Sequence, residues 1–216
     1  NKRRPIRSRN TAWAGRITDM LVAWRVSPNA ISSISVLFAV LAGLAYAFGL
    51  PKDGNAGLLI VGAIAILLRL LCNMFDGMVA VAGGRASKTG ELFNEMPDRV
   101  ADTVILLGVG YGLGAAWSGP TLGWCAALLA ISTAYVRALG TSVGTVPDFS
   151  GPMAKPHRMQ LLIAASVLAV LSPAGIGAAA VMAAALWIVV IGTAATVIGR
   201  TWRLWSRLRD ADGTEL

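Results

Sequence analysis

Two pairs of oxygen-bearing side chains lie at the ends of strongly apolar segments. The first pair is Asn73 and Asp76 in the run NMFDGMVA, and the second is Asn94 and Asp98 in the run GELFNEMPD. On a helix, residues three or four apart share a face, so each pair presents its oxygens together. Two such faces that meet beside a glycine-containing loop would form an oxygen-lined cavity. Oxygen ligands suit hard cations such as Mg2+ or Mn2+, and these cations suit phosphate chemistry.

The composition places these polar groups in a membrane protein. Of the 216 residues, 56% are hydrophobic and only 14% are charged, and the mean hydropathy is +0.65, which is too apolar for an ordinary soluble domain. Acids that occur at membrane depth usually serve a function. A single histidine excludes a histidine-rich zinc or copper cluster, and the two cysteines, both in apolar runs, indicate small buried hydrophobes.

The hydropathy pattern predicts an all-α, polytopic membrane protein with one domain over 1–216. About 20 residues are needed to cross the hydrocarbon layer, and the break at 172–175 predicts a tight turn before the last span. The six predicted spans are 29–50, 57–76, 94–115, 120–139, 159–173 and 176–198.

Two basic, tryptophan-bearing segments flank the spans. In the N-terminal segment 1–26, apolar residues recur at helical spacing over 9–26 and predict an interfacial amphipathic helix. In the tail 200–216, Trp202, Trp205 and several arginines give a similar pattern over 200–209. We favour anchoring to anionic membrane lipid for both segments, and a direct role in holding substrate is the alternative.

The distribution of lysine and arginine predicts the orientation. The loops after the second and fourth spans carry Arg85, Lys88, Lys155 and Arg158, whereas the opposite loops carry Lys52 alone. Both terminal segments are also basic. The positive-inside rule therefore puts both termini and the polar groups on the cytoplasmic side, and we expect a bacterial inner-membrane protein whose site is open to cytoplasmic anions.

The spacing of the polar residues resembles the signature of the CDP-alcohol phosphotransferase family. That signature is Asp, two residues, Asp-Gly, two residues, Ala-Arg, eight residues, Gly, three residues, Asp, three residues, Asp, and the spacing here matches it throughout. The runs SPNAIS at 27–32 and YVRA at 135–138 resemble other family stretches. The run GPMAKPHRM at 151–159 resembles a loop of members that use a phosphorylated polyol.

The resemblance implies a reaction and a set of residues. The family transfers a substituted phosphate from a CDP-linked donor to a second alcohol and releases CMP, with two divalent cations, Mg2+ or Mn2+, on the donor diphosphate. The implied metal ligands are Asn73, Asp76, Asn94 and Asp98, and Asp98 is also the implied general base for the acceptor hydroxyl.

The CDP donor is implied to contact the loop between the second and third spans. Gly77, Ala80 and Gly90 stand at small-residue positions of the signature, and glycine lets a ligand approach the backbone closely. Val81 stands where the signature has Arg, and Arg85 in the same loop is a candidate replacement.

Two further departures change the charge of the implied metal site. Asn73 and Asn94 stand where Asp is expected, so the ligand set carries two negative charges instead of four, which weakens binding of two cations. Hydrogen bonding between helices is the alternative role for the two amides. Three nearby acids are candidate compensating ligands: Glu91, Glu95 and Asp102.

Arg69 shares a helix face with Asn73 and Asp76, and we expect a structural ion pair there, with Asp98 as a candidate partner.

A group of cations forms the candidate site for the acceptor's phosphate. Arg137, Lys155 and Arg158 are predicted to lie together on the cytoplasmic side, where they would bind a phosphate monoester. Positive-inside residues without a ligand are the alternative, and His157 is expected to face solvent. Inositol phosphate and glycerol 3-phosphate are the candidate acceptors, and the loop at 151–159 favours inositol phosphate.

Taken together, the sequence predicts a phospholipid-biosynthesis enzyme. We expect it to move a phosphatidyl group from CDP-diacylglycerol to a phosphorylated polyol, to form a homodimer that the Gly/Ala-rich spans permit, and to have no nucleic-acid partner. The first alternative is an inactive or regulatory relative, because two expected carboxylates are amides. The second is a membrane transporter, which the nearly uncharged first, fourth, fifth and sixth spans disfavour.

Overall fold

The computed structural model describes residues 11–51, 54–84, 88–172 and 177–212, with side chains described for all of these except 88–94 and 212. Over these ranges the chain is entirely helical apart from turns and loops, with no strand. The seven helices are α1 (Ala12–Ala23), α2 (Pro28–Gly49), α3 (Ala56–Ala82), α4 (Lys88–Leu113), α5 (Gly119–Ser142), α6 (Lys155–Leu171) and α7 (Ala178–Asp212), and a 3-10 turn (Ala115–Trp117) precedes α5.

Local side chains set the starts of the first two long helices. The hydroxyl of Ser27 accepts a hydrogen bond from the Ala30 N–H at 3.1 Å, and Pro28 occupies the first turn, where a missing N–H costs nothing. Asn55 caps α3 in the same way, because its side-chain oxygen accepts from the Leu58 N–H at 3.1 Å. These caps place the starts of α2 and α3 within one residue of the predicted spans.

Each predicted span coincides with a helix, and the protein is an integral membrane protein. In the described part of the chain, four helices are long and apolar enough to cross a membrane, namely α2, α3, α5 and α7. The other two predicted spans correspond to α4, whose first half is charged, and to α6, which has 17 residues. The predicted turn at 172–175 falls mostly outside the described residues.

The last helix differs from the prediction. The sequence predicted a span that ends near residue 198 and a separate amphipathic segment at 200–209, but α7 is one helix of 35 residues through both. At 1.5 Å per residue it is about 52 Å long, which exceeds the thickness of a bilayer's hydrocarbon core. The separate segment was therefore wrong, because a helix need not end where it leaves the membrane.

The N-terminal amphipathic helix is present as α1, which is shorter than the predicted 9–26. It packs against α3, with Ala14 and Thr18 buried, and Trp13 makes an edge-to-face contact with Phe75 at 6.0 Å between ring centroids. Arg25 then adopts a left-handed conformation (φ 54°) that turns the chain into α2. Its position at the membrane interface stays a prediction.

Glycines bring α4 into backbone contact with two neighbouring helices. A Cβ built on Gly108 would lie 2.2 Å from the carbonyl oxygen of Gly43 on α2. A Cβ built on Gly110 would lie 2.6 Å from the carbonyl oxygen of Gly119 on α5. Small residues are the usual means of such close approach in membranes. These contacts fix the distances between α2, α4 and α5, and so fix where the charged first half of α4 lies.

Candidate functional site

Asp76 and Asn73 lie on the last third of α3 and contact two serines of α2. Asp76 is buried, with 2% of its surface exposed, and its Oδ2 accepts a hydrogen bond from Ser32 Oγ at 2.8 Å. Its Oδ1 is buried and has no hydrogen-bond partner among the described residues. One turn earlier, Asn73 Oδ1 accepts from Ser35 Oγ at 2.9 Å. The two hydroxyls therefore orient both side chains and leave one carboxylate oxygen without a donor.

Asp98, on α4, is held by groups from two other helices. Its Oδ1 accepts hydrogen bonds from the side-chain amide of Asn73 and from Arg69 Nη2, the latter at 3.3 Å. Its Oδ2 forms an ion pair with Lys155 Nζ at the start of α6. The hydrogen bond between Asn73 and Asp98 joins the polar faces of α3 and α4, as the sequence predicted.

Asp102 lies one turn after Asp98 and is buried between two arginines. Its Oδ1 accepts from Arg69 Nη2 at 2.7 Å, and its Oδ2 accepts from Arg158 Nη2 at 3.1 Å. Arg158 also donates to the carbonyl oxygen of Met153 at 3.0 Å. This part of the bundle contains three carboxylates and three cations, so the formal charges cancel. The carboxylates are Asp76, Asp98 and Asp102, and the cations are Arg69, Lys155 and Arg158.

Glu95 is the most exposed of the α4 acids that the structure describes, and it contacts a different cation. Both of its oxygens accept hydrogen bonds from Arg137 Nη2 of α5, at 2.8 and 2.7 Å, and Arg99 pairs with the same carboxylate. The Arg137 guanidinium also lies over the ring of Phe149, 5.2 Å from its centroid. Arg137 is thus directed to the outer edge of α4.

The loop between α5 and α6 is fastened to α7. Arg200 donates to the Ser150 carbonyl oxygen at 2.9 Å, and the Met153 N–H donates to Thr196 Oγ1 at 3.0 Å. Arg203 pairs with Asp148 at 2.8 Å. Partial burial alone would raise the pKa of Asp148, but hydrogen bonds from Ser150 and Arg203 outweigh it and lower that pKa to about 2. These contacts fix the loop that leads into Lys155.

A comparison with known protein families shows to which family a chain with this arrangement belongs. A family model described as CDP-alcohol phosphatidyltransferase matches residues 25–205, which contain every residue of the site. The chain belongs to this family. It is a CDP-alcohol phosphatidyltransferase, a membrane transferase of phospholipid biosynthesis, and this assignment replaces the transporter alternative.

Two relatives and one solved structure show what this CDP-alcohol phosphatidyltransferase is similar to. The chain is 27% identical over 198 residues to a phosphatidylinositol phosphate synthase of Streptomyces avermitilis, covering 89% of this chain and 78% of that protein. It is 23% identical to the synthase of Mycobacteroides abscessus, covering 86% and 82%. Its fold resembles that of the Mycobacterium tuberculosis phosphatidylinositol phosphate synthase with CDP-DAG bound, with a TM-score of 0.73, 16% identity, and coverage of 88% and 92%.

The structure places some of the predicted site residues together and separates others. A hydrogen bond joins Asn73 to Asp98, as predicted, and Lys155 also contacts Asp98, which the sequence did not predict. Each of the three predicted acceptor cations contacts a different acid of α4: Arg137 contacts Glu95, Lys155 contacts Asp98, and Arg158 contacts Asp102 inside the bundle. Their roles stay predictions.

The donor-side residues are described only in part. Gly77 is buried on α3 beside Asp76, Ala80 is half-buried, and Val81 is exposed at 61%. Four predicted residues fall outside the described residues or side chains: Arg85, Gly90, Glu91 and Asn94.

Sequence reasoning missed the α2 residues that orient the site. Ser32 and Ser35 lie three apart on one face of an apolar span and hold Asp76 and Asn73. Ser32 lies in the family-like run SPNAIS, and a hydroxyl pair on one helix face was the available signal. Arg200 was assigned only to the basic tail, but it is buried and binds the loop before α6.

One carboxylate oxygen among the described residues is available to a divalent cation. Asp76 Oδ1 is a buried carboxylate oxygen without a hydrogen-bond donor, and the oxygens of Asn73 and Asp98 lie on the adjoining faces. Among the described side chains, no three His, Cys, Asp or Glu residues group closely enough to hold a metal ion. An amide oxygen would therefore have to complete a site built from these residues, which is chemically acceptable for Mg2+ or Mn2+.

Proposed function

We propose that this chain transfers the phosphatidyl group of CDP-diacylglycerol to a phosphorylated polyol and releases CMP. Inositol phosphate is the first candidate acceptor and glycerol 3-phosphate the second. The family assignment supports the reaction type, and the relatives' name, phosphatidylinositol phosphate synthase, supports the acceptor. CDP-DAG, which is bound in the structure of one relative, supports the donor.

The contact between Lys155 and Asp98 is the observation that carries the proposal. Lys155 comes from the loop that resembles members using a phosphorylated polyol, and its ammonium pairs with the carboxylate proposed as the general base. A phosphate monoester that binds Lys155 would hold its own hydroxyl close to Asp98. When the ammonium turns to that phosphate, it releases Asp98 Oδ2 to accept the hydroxyl proton.

The donor would lie along α3. Its acyl chains would occupy the bilayer, and its nucleotide diphosphate would lie beside Asp76 and the small residues Gly77 and Ala80. A bound Mg2+ or Mn2+ would neutralise negative charge on the diphosphate during transfer. A relative's structure with manganese and citrate supports such an ion, with Asp76, Asn73, Asp98 and Asn94 as the proposed ligands.

The proposed reaction implies an arrangement in the membrane. We place the acidic part of α4 and both termini on the cytoplasmic side of a bacterial inner membrane, where a soluble polyol phosphate has access. All six helices from α2 to α7 would then span the bilayer, with α1 at the interface. The apolar outer faces would contact membrane lipid, and we propose a homodimer.

The test is product analysis with purified protein. Labelled CDP-diacylglycerol is incubated with Mg2+ or Mn2+ and with a panel of polyols and polyol phosphates, and the lipid product and CMP are identified. We expect a product from inositol phosphate and none from free inositol. Lys155→Met should raise the KM for the acceptor, whereas the matched change Arg16→Met, at an exposed cation of α1, should not. Products from unphosphorylated polyols alone would contradict the proposal.

A catalytically altered family member is the second candidate. Both oxygens of Asp98 are already contacted by protein groups, and two expected carboxylates are amides. This candidate predicts that the protein binds CDP-diacylglycerol but releases no CMP with any acceptor in the panel. The same assay therefore separates the two functions.

A further inference from the structure

Arg69 is a buried cation, and its hydrogen bonds to described residues all go to α4. Its side chain has 0% exposure, and Nη2 donates to Asp98 Oδ1 at 3.3 Å and to Asp102 Oδ1 at 2.7 Å. Its Nε and Nη1 are buried without hydrogen-bond partners among the described residues. Arg69 therefore places a positive charge between two carboxylates.

Asn73 complements Arg69 at the same carboxylate. Its amide nitrogen donates to Asp98 Oδ1, while its oxygen accepts from Ser35. An aspartate at this position would set one carboxylate against another at hydrogen-bond distance, and a cation would then be needed between them. The amide removes that requirement, because it offers Asp98 a donor.

The charges leave little attraction for two dications. Asp98 and Asp102 are matched by Arg69, Lys155 and Arg158, and among the described carboxylates only Asp76 keeps a buried oxygen without a donor. The effective dielectric constant of such a site lies between that of water and that of a dry protein interior. Each carboxylate charge that has no cation beside it therefore strengthens the binding of a metal ion considerably.

We propose that Arg69 and Asn73 are positioning residues that hold Asp98 with protein groups in place of a second divalent cation, so that the site binds one Mg2+ or Mn2+ per chain. The inference rests on the proposed function, because it assigns the ion to the proposed donor site. It departs from the two-cation arrangement that the family resemblance implies.

The test counts Mn2+ ions by electron paramagnetic resonance. Purified full-length protein, with CDP as the probe of the donor site, is titrated with Mn2+ in the wild type and in Asn73→Asp. The control is Asn55→Asp, which adds the same charge to α3 at its other end, where aspartate also caps a helix. Melting temperatures are measured with EDTA and with Mn2+.

We expect one Mn2+ per wild-type chain, with the spectrum of an isolated ion. Asn73→Asp should bind Mn2+ about tenfold more tightly or take a second ion, and its melting temperature should depend more on Mn2+. Asn55→Asp should match the wild type. No ion or two ions of comparable affinity in the wild type would overturn the proposal, and so would equal Mn2+ affinities in all three proteins.

The count is independent of turnover. One bound Mn2+ with no CMP released from any acceptor would support this proposal and contradict the transfer reaction. Two bound ions together with product formation would contradict this proposal and support the transfer reaction.

Discussion

The two halves of α4 are held in place by opposite means. The first half, which we count as far as Asp102, contains Glu95, Asp98 and Asp102, and each of these acids contacts a cation on a neighbouring helix. The second half contains Gly108 and Gly110, which touch the backbones of α2 and α5 with no space for a methyl group. The first half depends on matched charges, and the second on steric fit.

This difference separates chemistry from scaffold along one helix. Ion pairs can exchange partners, so a carboxylate in the first half can pass from lysine to substrate. Backbone contacts cannot be exchanged, so the second half keeps the helices at a fixed distance while the first half reacts. Substitutions in the first half should therefore change activity beyond any change in stability, and those in the second half should act through stability.

The largest effect is expected at Asp98. Asp98→Asn should lower turnover by about 10²–10⁴-fold, because the amide cannot accept the hydroxyl proton, while the protein stays folded. The measurement is CMP release together with the melting temperature in detergent. The control, Asp19→Asn, removes an exposed acid of α1 and should keep its activity. Turnover like that of the wild type would remove Asp98 from the mechanism.

The next effect is expected at Arg69. Arg69→Met should lower the free energy of unfolding by about 3 kcal/mol or more, because it leaves buried carboxylates of the first half short of a cation. Arg99→Met serves as the control, since its partner Glu95 is exposed and the loss should stay below about 1 kcal/mol. The free energies of unfolding are measured by chemical denaturation. Equal decreases for the two variants would show that the buried ion pairs of Arg69 do not stabilise the first half of α4.

Gly108 tests the second half. Gly108→Ala should destabilise the protein by about 2 kcal/mol, because its methyl group would collide with the Gly43 carbonyl oxygen and push α2 away. Gly15→Ala is the matched control, since nothing lies within 4 Å of its Cβ and helix propensity favours alanine. Activity per folded molecule should persist in Gly108→Ala; its loss at unchanged stability would break the division between the halves.

The smallest effect is expected outside α4, at Asp148. Its pKa of about 2 lies below the ordinary value of about 3.9, so its ion pair with Arg203 stabilises the fold above about pH 4 and is lost as the pH falls through 2. These two pKa values correspond to about 2.6 kcal/mol, and solvent around the half-exposed Arg203 screens part of it. Asp148→Asn should therefore lower the free energy of unfolding by about 1–2 kcal/mol, by a constant amount between pH 5 and pH 8. A difference that varies over this range, followed by thermal melting, would contradict the assignment.

The sequence predicted the helices and the meeting of α3 with α4, because hydropathy and residue spacing are local properties. It offered Asp98 as a candidate partner of Arg69, and the structure shows that contact together with a shorter one to Asp102. It did not predict that Arg158 contacts Asp102 or that Arg137 contacts Glu95. Those contacts depend on how each helix is rotated about its axis, which the packing of the whole bundle decides.

The continuous α7 joins the loop before Lys155 to a helix that is long and apolar enough to cross a membrane. A bilayer that becomes thicker or thinner changes the tilt of a long helix. Because Thr196, Arg200 and Arg203 fasten the loop before Lys155 to this helix, the loop tilts with it. Any change in the tilt of α7 would therefore also move Lys155 at the start of α6.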